Sequence, residues 1–166
     1  MSLFTLRPAT TADADAIALT HRDSILTLGA TAYDPEVVAD WGAPRSRERY
    51  REAMARGTRF FIAVPSHSPQ SDDIVLGFSS YAQEGEMHRT AVYVRGAAAR
   101  QGIGRGLFAL AEAAARDAGA PAITIEAALG AIPFWTALGF DSLGMRDHLL
   151  RSGRIMPCLL MRKPLA

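Results

Sequence analysis

Two kinds of apolar spacing alternate along this chain. In some stretches apolar residues recur every three or four positions, which predicts amphipathic helices; in others they recur every second position, which predicts strands with one buried face. The helical spacing is clearest over 102–118, where Ile103, Leu107, Leu110 and Ala114 share one face. Capping residues and stop signals predict further helices over 11–29, 35–41, 46–55 and 131–138.

The predicted strands are short runs rich in β-branched and aromatic residues, bounded by Gly, Pro, Ser and Asp. They cover 3–7, 59–64, 74–81, 86–94, 121–126, 141–145 and 155–161. Three consecutive strands predict an antiparallel meander, whereas the long helix before 121–126 is a crossover that predicts parallel pairing between the fourth and fifth strands. No linker or repeat divides the chain, so the pattern predicts one mixed α/β (α+β) domain.

Composition and charge narrow the classes of function. The chain has 166 residues, of which 49% are hydrophobic and 21% are charged, as in a globular domain. Its 18 basic and 17 acidic residues give a net charge of +1, so charge predicts no binding to nucleic acid or to a membrane surface. No apolar run approaches the roughly 20 residues of a membrane helix, and the first residues lack signal-peptide features. We therefore predict a cytoplasmic protein.

The residues that commonly bind metals are few and scattered. A single cysteine, Cys158, excludes an internal disulfide, and its apolar surroundings predict a buried and unreactive thiol. His21, His67 and His148 have no metal-ligand spacing with each other or with Cys158. The sequence therefore predicts no metal site.

One segment combines glycines and arginines in a way that predicts phosphate binding. A predicted strand ends at Val94, a loop follows, and the next helix begins with three glycines at alternate positions over 102–106. The first N–H groups of a helix lack partners inside the helix and carry partial positive charge, so they bind anions. Glycine permits the close approach of a diphosphate, and Arg100 and Arg105 add forked hydrogen-bond donors. The same glycines could instead serve only turn geometry and helix packing.

Two segments resemble the motifs of one enzyme family. The segment from Ala99 to Gly104 resembles motif A of the GNAT acetyltransferases, Q/R-x-x-G-x-G/A. The segment from Ala131 to Phe140 is similar to motif B of that family, A-x-x-F-Y-x-x-x-G-F, and the spacing between the two leaves room for one helix and one strand. The segments 33–41 and 161–165 also resemble a bacterial subgroup of the family. The resemblance thus spans nearly the whole chain.

The resemblance implies both a fold and an activity. The fold would be a central mixed, mostly antiparallel sheet flanked by helices, in a single N-acetyltransferase domain over 1–166. The activity would be transfer of an acetyl group from acetyl-CoA to a primary amine of a small molecule or peptide, by direct attack in a ternary complex. Residues 29–47, with Tyr33 and Trp41, would line the acceptor side. The implied cofactor-binding residues are Val92, Tyr93, Val94, Arg100, Gln101, Gly102, Ile103, Gly104, Arg105 and Gly106.

The chain departs from the family motifs at three places. Ala99 stands where motif A usually has Gln or Arg, with Arg100 beside it as a partial replacement. Arg95 and Gly96 stand where the family often has His-Pro. Trp135 stands where motif B has a Tyr that protonates the departing CoA thiolate in relatives. An indole has no ionisable hydroxyl, so Trp135 would pack against the cofactor arm or belong to the core.

Three residues are candidates for the chemistry of transfer. The amine must lose a proton, and the tetrahedral oxyanion needs a donor, which the resemblance places at the N–H of Val94. His88 shares a strand face with Val94 and falls where some relatives place a catalytic glutamate, and an imidazole titrates near neutral pH. A strand-edge histidine can equally be solvated or merely hydrogen-bonded. Glu126, at the end of the fifth strand, is the second candidate for the base, and Trp135 is the third catalytic candidate.

Other functions and partners remain open on the sequence. A dinucleotide-binding oxidoreductase would need G-x-G-x-x-G, but the third glycine of that pattern falls on Leu107. A non-catalytic sensor or partner module that binds acyl-CoA is the stronger alternative, because of Ala99 and Trp135. The sequence does not name the amine acceptor, and it leaves a homodimer open.

Overall fold

A computed structural model describes residues 2–67 and 74–165, and a seven-stranded sheet organises them. The strands follow the order β1-β2-β3-β4-β5-β7-β6 across the sheet. They are β1 (Phe4–Pro8), β2 (Arg59–Pro65), β3 (Gly77–Glu84), β4 (Met87–Val94), β5 (Ala122–Ala128), β6 (Asp141–Leu149) and β7 (Ile155–Pro164). The helices are α1 (Ala14–Leu28), α2 (Pro35–Trp41), α3 (Arg47–Ala55), α4 (Ile103–Asp117) and α5 (Ile132–Ala137).

The sheet is mixed and mostly antiparallel, so the predicted fold class is confirmed. Strands β2 to β4 form the predicted antiparallel meander, and β1 pairs antiparallel with β2. Strands β4 and β5 are parallel neighbours, with α4 as the crossover between them, but they are in register only at Arg89 and Thr124. Beyond that point β4 continues along β3 as far as the Gly77–Val94 pair. Strands β4 and β5 therefore splay apart, which opens a gap in the middle of the sheet.

Helices cover both faces of the sheet and bury two clusters of apolar side chains. Helix α4 packs on one face, and its Leu107 and Phe108 are almost fully buried there. Helices α1 and α3 pack on the other face around Ile17 and Tyr50. Side chains alternate along a strand, so successive residues of β4, and likewise of β5, point alternately to the α4 face and to the α1/α3 face of the sheet. The gap between β4 and β5 is therefore bordered by side chains on both faces of the sheet.

The terminal hairpin is longer than the apolar pattern predicts. The sequence predicts a strand over 141–145 and then a polar loop, but β6 continues to Leu149 and pairs there with Ile155. Every residue of β6 is exposed, so the strand carries no alternation of buried and exposed positions. Backbone pairing with β7 holds this strand, and backbone pairing leaves no signature in the apolar pattern. Likewise β3 begins at Gly77 and not at Ile74.

Within 2–67 and 74–165 no helix is both long enough and apolar enough to cross a bilayer. The two longest, α1 and α4, each have 15 residues and polar side chains among them. They instead bury one face against the sheet.

Candidate functional site

A cleft of about 920 Å³ occupies the gap between β4 and β5. Three structural units form its walls: the loop and first turn of α4, the segment from the end of α1 through α2, and the carboxyl half of β5 with the β6–β7 hairpin. The cleft is accessible from both layers of the domain, because it lies where the sheet divides. Its volume lies in the range of small-molecule and cofactor sites.

The edge of β4 that faces the cleft carries backbone N–H groups without a strand partner. The N–H of Arg95 donates to the carbonyl of Leu76 at 2.8 Å, which fixes the hydrogen-bonding phase of β4 against β3. In an antiparallel ladder the N–H groups of alternate residues point to opposite edges. The N–H groups of Val92 and Val94 therefore point toward β5, which has already diverged. An extended polar chain could pair with this edge.

The start of α4 combines unpaired N–H groups with positive charge. Gly102 precedes the helix at φ +85°, and the N–H of Gly106 makes the first helical hydrogen bond, to the Gly102 carbonyl at 3.1 Å. The three preceding N–H groups thus have no acceptor inside the helix. The guanidinium groups of Arg100 and Arg105 line the same end of the cleft, and neither forms a salt bridge with a described residue. Uncompensated positive charge is therefore concentrated here.

The loop residues named from the sequence divide between cleft and core. Those that line the cleft are Val92, Tyr93, Val94, Arg100, Gly102, Gly104 and Arg105. Ile103 is 1% exposed and belongs to the core under α4, and Gln101 is exposed outside the cleft lining. A Cβ on Gly106 would lie 2.8 Å from Leu6, so this glycine serves the packing of α4 against β1. The packing interpretation therefore holds at Gly106.

Trp135 lies at the inner end of the cleft as part of the core. It is 5% exposed, and its ring makes edge contacts with Phe108 and Phe140 at centroid distances of 5.6 and 5.1 Å. Its neighbour Phe134 lies 3.2 Å from the position that a Cβ on Gly104 would occupy. The Phe134 ring of the segment 131–140 therefore packs against the first turn of α4 at Gly104. Trp135 lines the cleft with an indole ring, which carries no hydroxyl.

His88 lies away from the cleft. It is buried, its Nδ1 is 2.8 Å from the hydroxyl of Tyr81, and the two rings stack. Burial raises the pKa of Tyr81, so its phenol stays protonated at neutral pH. His88 shares the predicted face with Val94, but six residues of strand separate them by about 20 Å. The structure thus gives His88 a partner in the core, whereas Thr90, two residues further along β4, lines the cleft.

Glu126 does line the cleft, and it pairs with a residue that the sequence did not suggest. Its Oε2 is 3.0 Å from Nδ1 of His148 on β6. The carboxylate is 34% exposed and the imidazole 45% exposed, so both can be reached from solvent. Ile125 and Ala127, on either side of Glu126, point into the α4 core. Glu126 therefore faces the layer of α1 and α2.

The approach of His148 to Glu126 depends on a bend in the terminal hairpin. Glu126 is in register with Leu160, whereas His148 is in register with Met156, four residues further along β7. In a flat sheet these two positions would be offset by about 13 Å along the strands. A β-bulge between Ser142 and Gly144 interrupts the pairing of β6 with β7. Bulges bend and twist a strand, which brings the hairpin over the cleft.

Polar contacts tie the tip of this hairpin to α2. The guanidinium of Arg154 lies 3.0 Å from the carboxylate of Glu36. The hydroxyl of Ser152 donates to the carboxylate of Asp40. Both acceptors lie on α2, so these contacts connect the tip of the hairpin to the α2 wall of the cleft. The bend is thus held at both ends, by the bulge and by α2.

Two aromatic residues, Tyr33 before α2 and Trp41 at its end, form the wall of the cleft beside the hairpin. The hydroxyl of Tyr33 donates to the carbonyl of Pro157 at 2.7 Å and accepts from the N–H of Leu129 at 2.9 Å. Burial raises the pKa of Tyr33, so its hydroxyl is protonated and fully used by these two bonds. Trp41 packs edge-on against Tyr33 and lies over Gly29, where a Cβ would be 2.9 Å from the indole. Both residues line the cleft, as predicted for this segment.

Cys158 also borders the cleft, but its thiol is unreactive. The residue is 1% exposed, and burial, together with the charges of Glu126 and Asp147, raises the pKa of its thiol to about 11. Only the thiolate is a good nucleophile, and almost none is present at neutral pH. The predicted buried thiol is confirmed. Within 2–67 and 74–165 there is also no cluster of three or more His, Cys, Asp or Glu side chains that could hold a metal ion.

The sequence and the fold both match known acetyltransferases. A family model described as an acetyltransferase (GNAT) domain matches residues 30–148, more than half of the chain. A search of curated proteins found no match to the sequence. Among solved structures, a GCN5-related N-acetyltransferase from Rhodopseudomonas palustris is 25% identical, with a TM-score of 0.82 over 99% of this chain and 98% of that one.

Two further similar structures were solved with a coenzyme A species bound. A phosphinothricin acetyltransferase from Sinorhizobium meliloti, in complex with acetyl-CoA, is 20% identical, with a TM-score of 0.75 over 99% of this chain and 89% of that one. A PaiA N-acetyltransferase from Thermoplasma acidophilum, in complex with coenzyme A, is 16% identical, with a TM-score of 0.74 over 98% and 99% of the two chains. At these identities the two structures share the fold with this chain.

Proposed function

Because this chain belongs to the GNAT acetyltransferase family, we propose that it transfers the acetyl group of acetyl-CoA to a primary amine of a small molecule or peptide. The observation that carries the proposal is the coincidence of three features in one cleft. These are the open helix N-terminus with two arginines, the free N–H edge of β4, and an acid–base pair on the opposite wall. An acyl-CoA needs the first two, and the amine needs the third.

The diphosphate would bind at the start of α4. Its negative charge would be stabilised by the unpaired N–H groups after Gly102 and by Arg100 and Arg105. From there the pantetheine arm would run along β4, where the N–H groups of Val92 and Val94 face the gap. The thioester would then lie near Val94, whose N–H would stabilise the oxyanion of the tetrahedral intermediate.

Transfer would be direct, without an acetylated enzyme. The only cysteine carries a thiol whose pKa is raised to about 11, which disfavours a Cys158 thioester intermediate. The amine would enter from the α2 side and attack the thioester carbon within a ternary complex. The group that removes its proton must lie on that side, where Glu126 lines the cleft and His88 does not. We therefore assign proton removal to the wall of β5 and the hairpin.

The double variant Arg100→Gln, Arg105→Gln tests the cofactor assignment. Hydrogen bonds to charged groups contribute about 1.5–3 kcal/mol each, so acetyl-CoA affinity should fall at least a hundredfold. Calorimetry measures the affinity, and release of free CoA thiol measures turnover with a panel of amino acids, benzylamine, tryptamine and spermidine. A double Arg56→Gln, Arg59→Gln variant changes the net charge equally, away from the cleft, and should bind as the wild type does.

The outcomes separate the candidate functions. If both double variants lose acetyl-CoA affinity equally, the loss comes from the change in net charge. That result would contradict the assignment of the diphosphate to Arg100 and Arg105. Acetyl-CoA binding without thiol release for any amine would favour the role of a non-catalytic sensor. The departures from the family motifs at Ala99 and Trp135 support that alternative. Binding with thiol release supports the transferase.

A further inference from the structure

We propose that His148 is the catalytic base of this cleft and that Glu126 is its positioning residue. The inference rests on the proposed transfer of an acetyl group to an amine, and it assigns the proton-transfer step of that reaction. Its starting point is the 3.0 Å contact between Nδ1 of His148 and Oε2 of Glu126, 22 positions apart in the chain. Both side chains line the cleft, and both are accessible to solvent.

The contact determines which nitrogen of His148 is available. A carboxylate accepts hydrogen bonds and donates none, so in the neutral imidazole the proton lies on Nδ1. Nε2 then carries the lone pair. Nε2 has no hydrogen-bond partner among the described residues, and the ring lines the cleft. A carboxylate behind one nitrogen fixes the orientation of the ring and stabilises the imidazolium that forms when Nε2 takes a proton.

The carboxylate of Glu126 is less suited to take the proton itself. Its Oε2 is occupied by the imidazole, and carboxylates as a class are weaker bases than imidazoles. The surroundings contain few competing groups. The titratable or charged side chains near the pair are Tyr33, Arg89, Arg146, Asp147 and Cys158, and Arg89 is paired with Glu84 at 3.4 Å.

The proposed step balances without any further reactant. The amine reaches the cleft in its neutral form, having released one proton to solvent. Its lone pair forms the N–C bond with the thioester carbonyl carbon, and one proton of the attacking nitrogen passes to Nε2 of His148. The C–S bond then breaks, and its electron pair leaves with the sulfur as thiolate. The imidazolium releases its proton to bulk water, and the thiolate takes one from water, which gives the amide and free CoA.

The kinetic test compares His148→Gln with the wild type, using whichever amine of the panel turns over fastest. The amide keeps the polarity of the site but does not titrate. We expect kcat to fall about a hundredfold or more, as for other lost general bases, with acetyl-CoA affinity within twofold and the acidic limb of the pH–rate profile lost. His67→Gln, at an exposed histidine outside the cleft, is the matched control and should keep the wild-type kcat.

Two variants of Glu126 test its role as a positioning residue. Glu126→Gln should lower kcat about tenfold or more with little change in KM, because an amide can turn its oxygen or its NH2 toward Nδ1 and no longer fixes the ring. Glu126→Asp, which keeps the carboxylate, should recover part of the loss. If the two variants have equal activity, or if Glu126→Gln changes only KM, the positioning role is refuted.

A measurement without turnover separates this inference from the proposed function. ¹⁵N NMR of the neutral imidazole should show His148 protonated at Nδ1 in the wild type and a mixture of tautomers in Glu126→Gln. A wild-type His148 protonated at Nε2 would overturn the assignment, as would His148→Gln with kcat within threefold of the wild type. If no amine supports thiol release, the proposed function fails, and with it the catalytic role of His148, whatever tautomer is found.

Discussion

Acidification should destabilise this protein through one of its buried histidines, His21. The ring is 9% exposed and lies between Tyr93, at a centroid distance of 4.1 Å, and Phe78, at 5.4 Å. Its Nδ1 is 2.8 Å from the hydroxyl of Tyr50, and Nε2 is buried without a hydrogen-bond partner among the described residues. Burial, and then the charges of Arg45 and Arg49, lower the pKa of His21 well below 6.5.

The sign and the size of the effect follow from proton linkage. The unfolded chain protonates this histidine below pH 6.5, whereas the folded protein does not until a much lower pH. Stability is therefore present above pH 6.5 and is lost as the pH falls below it, by about 1.4 kcal/mol for each pH unit. From pH 7.5 to pH 5.0 the loss from this one group is about 2 kcal/mol as long as the folded protein leaves it neutral.

The assay is urea unfolding at pH 7.5 and pH 5.0 for the wild type and for His21→Gln. The variant keeps a polar side chain beside Tyr50 but cannot titrate, so its loss between the two pH values should be about 2 kcal/mol smaller. Asp13 does not interfere. Burial alone would raise its pKa, but hydrogen bonds from Arg7 and Thr10 outweigh burial and lower it, so Asp13 titrates below this range. Parallel losses in the two proteins would refute the reasoning, and His67→Gln should behave as the wild type does.

Two further predictions concern the cleft. Gly104→Val would direct its side chain at Phe134, because even a Cβ there lies 3.2 Å from that ring; calorimetry should show acetyl-CoA affinity at least a hundredfold weaker, with Gly104→Ala intermediate and both variants folded by circular dichroism. Unchanged affinity in folded Gly104→Val would mean that the loop does not hold the cofactor. Cys158→Ala should keep kcat within about threefold of the wild type, because a thiol with its pKa raised to about 11 takes no part in direct transfer. Loss of all thiol release in a folded Cys158→Ala protein would point to an acetyl-enzyme intermediate.

The glycine–arginine turn at the start of α4 was predictable from the sequence because its signal is local. Gly102 takes a positive φ, and Arg100 and the helix that follows are adjacent to it in the chain. The N–H groups and charges that would bind a diphosphate thus come from one short segment, and their geometry depends on a turn and a helix start. The long-range contacts of the fold only orient this segment toward β4.

The contact between His148 and Glu126 was not predictable in the same way. Strand alternation correctly places His88 on the face of Val94, but the distance along β4 and the partner Tyr81 keep it out of the cleft. The strand predicted over 141–145 stops short of His148, because β6 has no alternation of buried and exposed positions to show that it continues to Leu149. A histidine and a glutamate 22 positions apart show no spacing that indicates contact.

The sequence by itself determined the order of helices and strands, the parallel crossover through α4 and the glycine–arginine loop, because periodicity, caps and turns act over a few residues. Only the tertiary structure decided what lies opposite that loop. The insertion of β7 between β5 and β6, the bulge after Ser142 and the ties of the hairpin to α2 bring His148 to Glu126. The contacts of the hairpin with α2 and with Tyr33 join residues more than 100 positions apart. All of these arrangements depend on how the layers pack, which no local pattern contains.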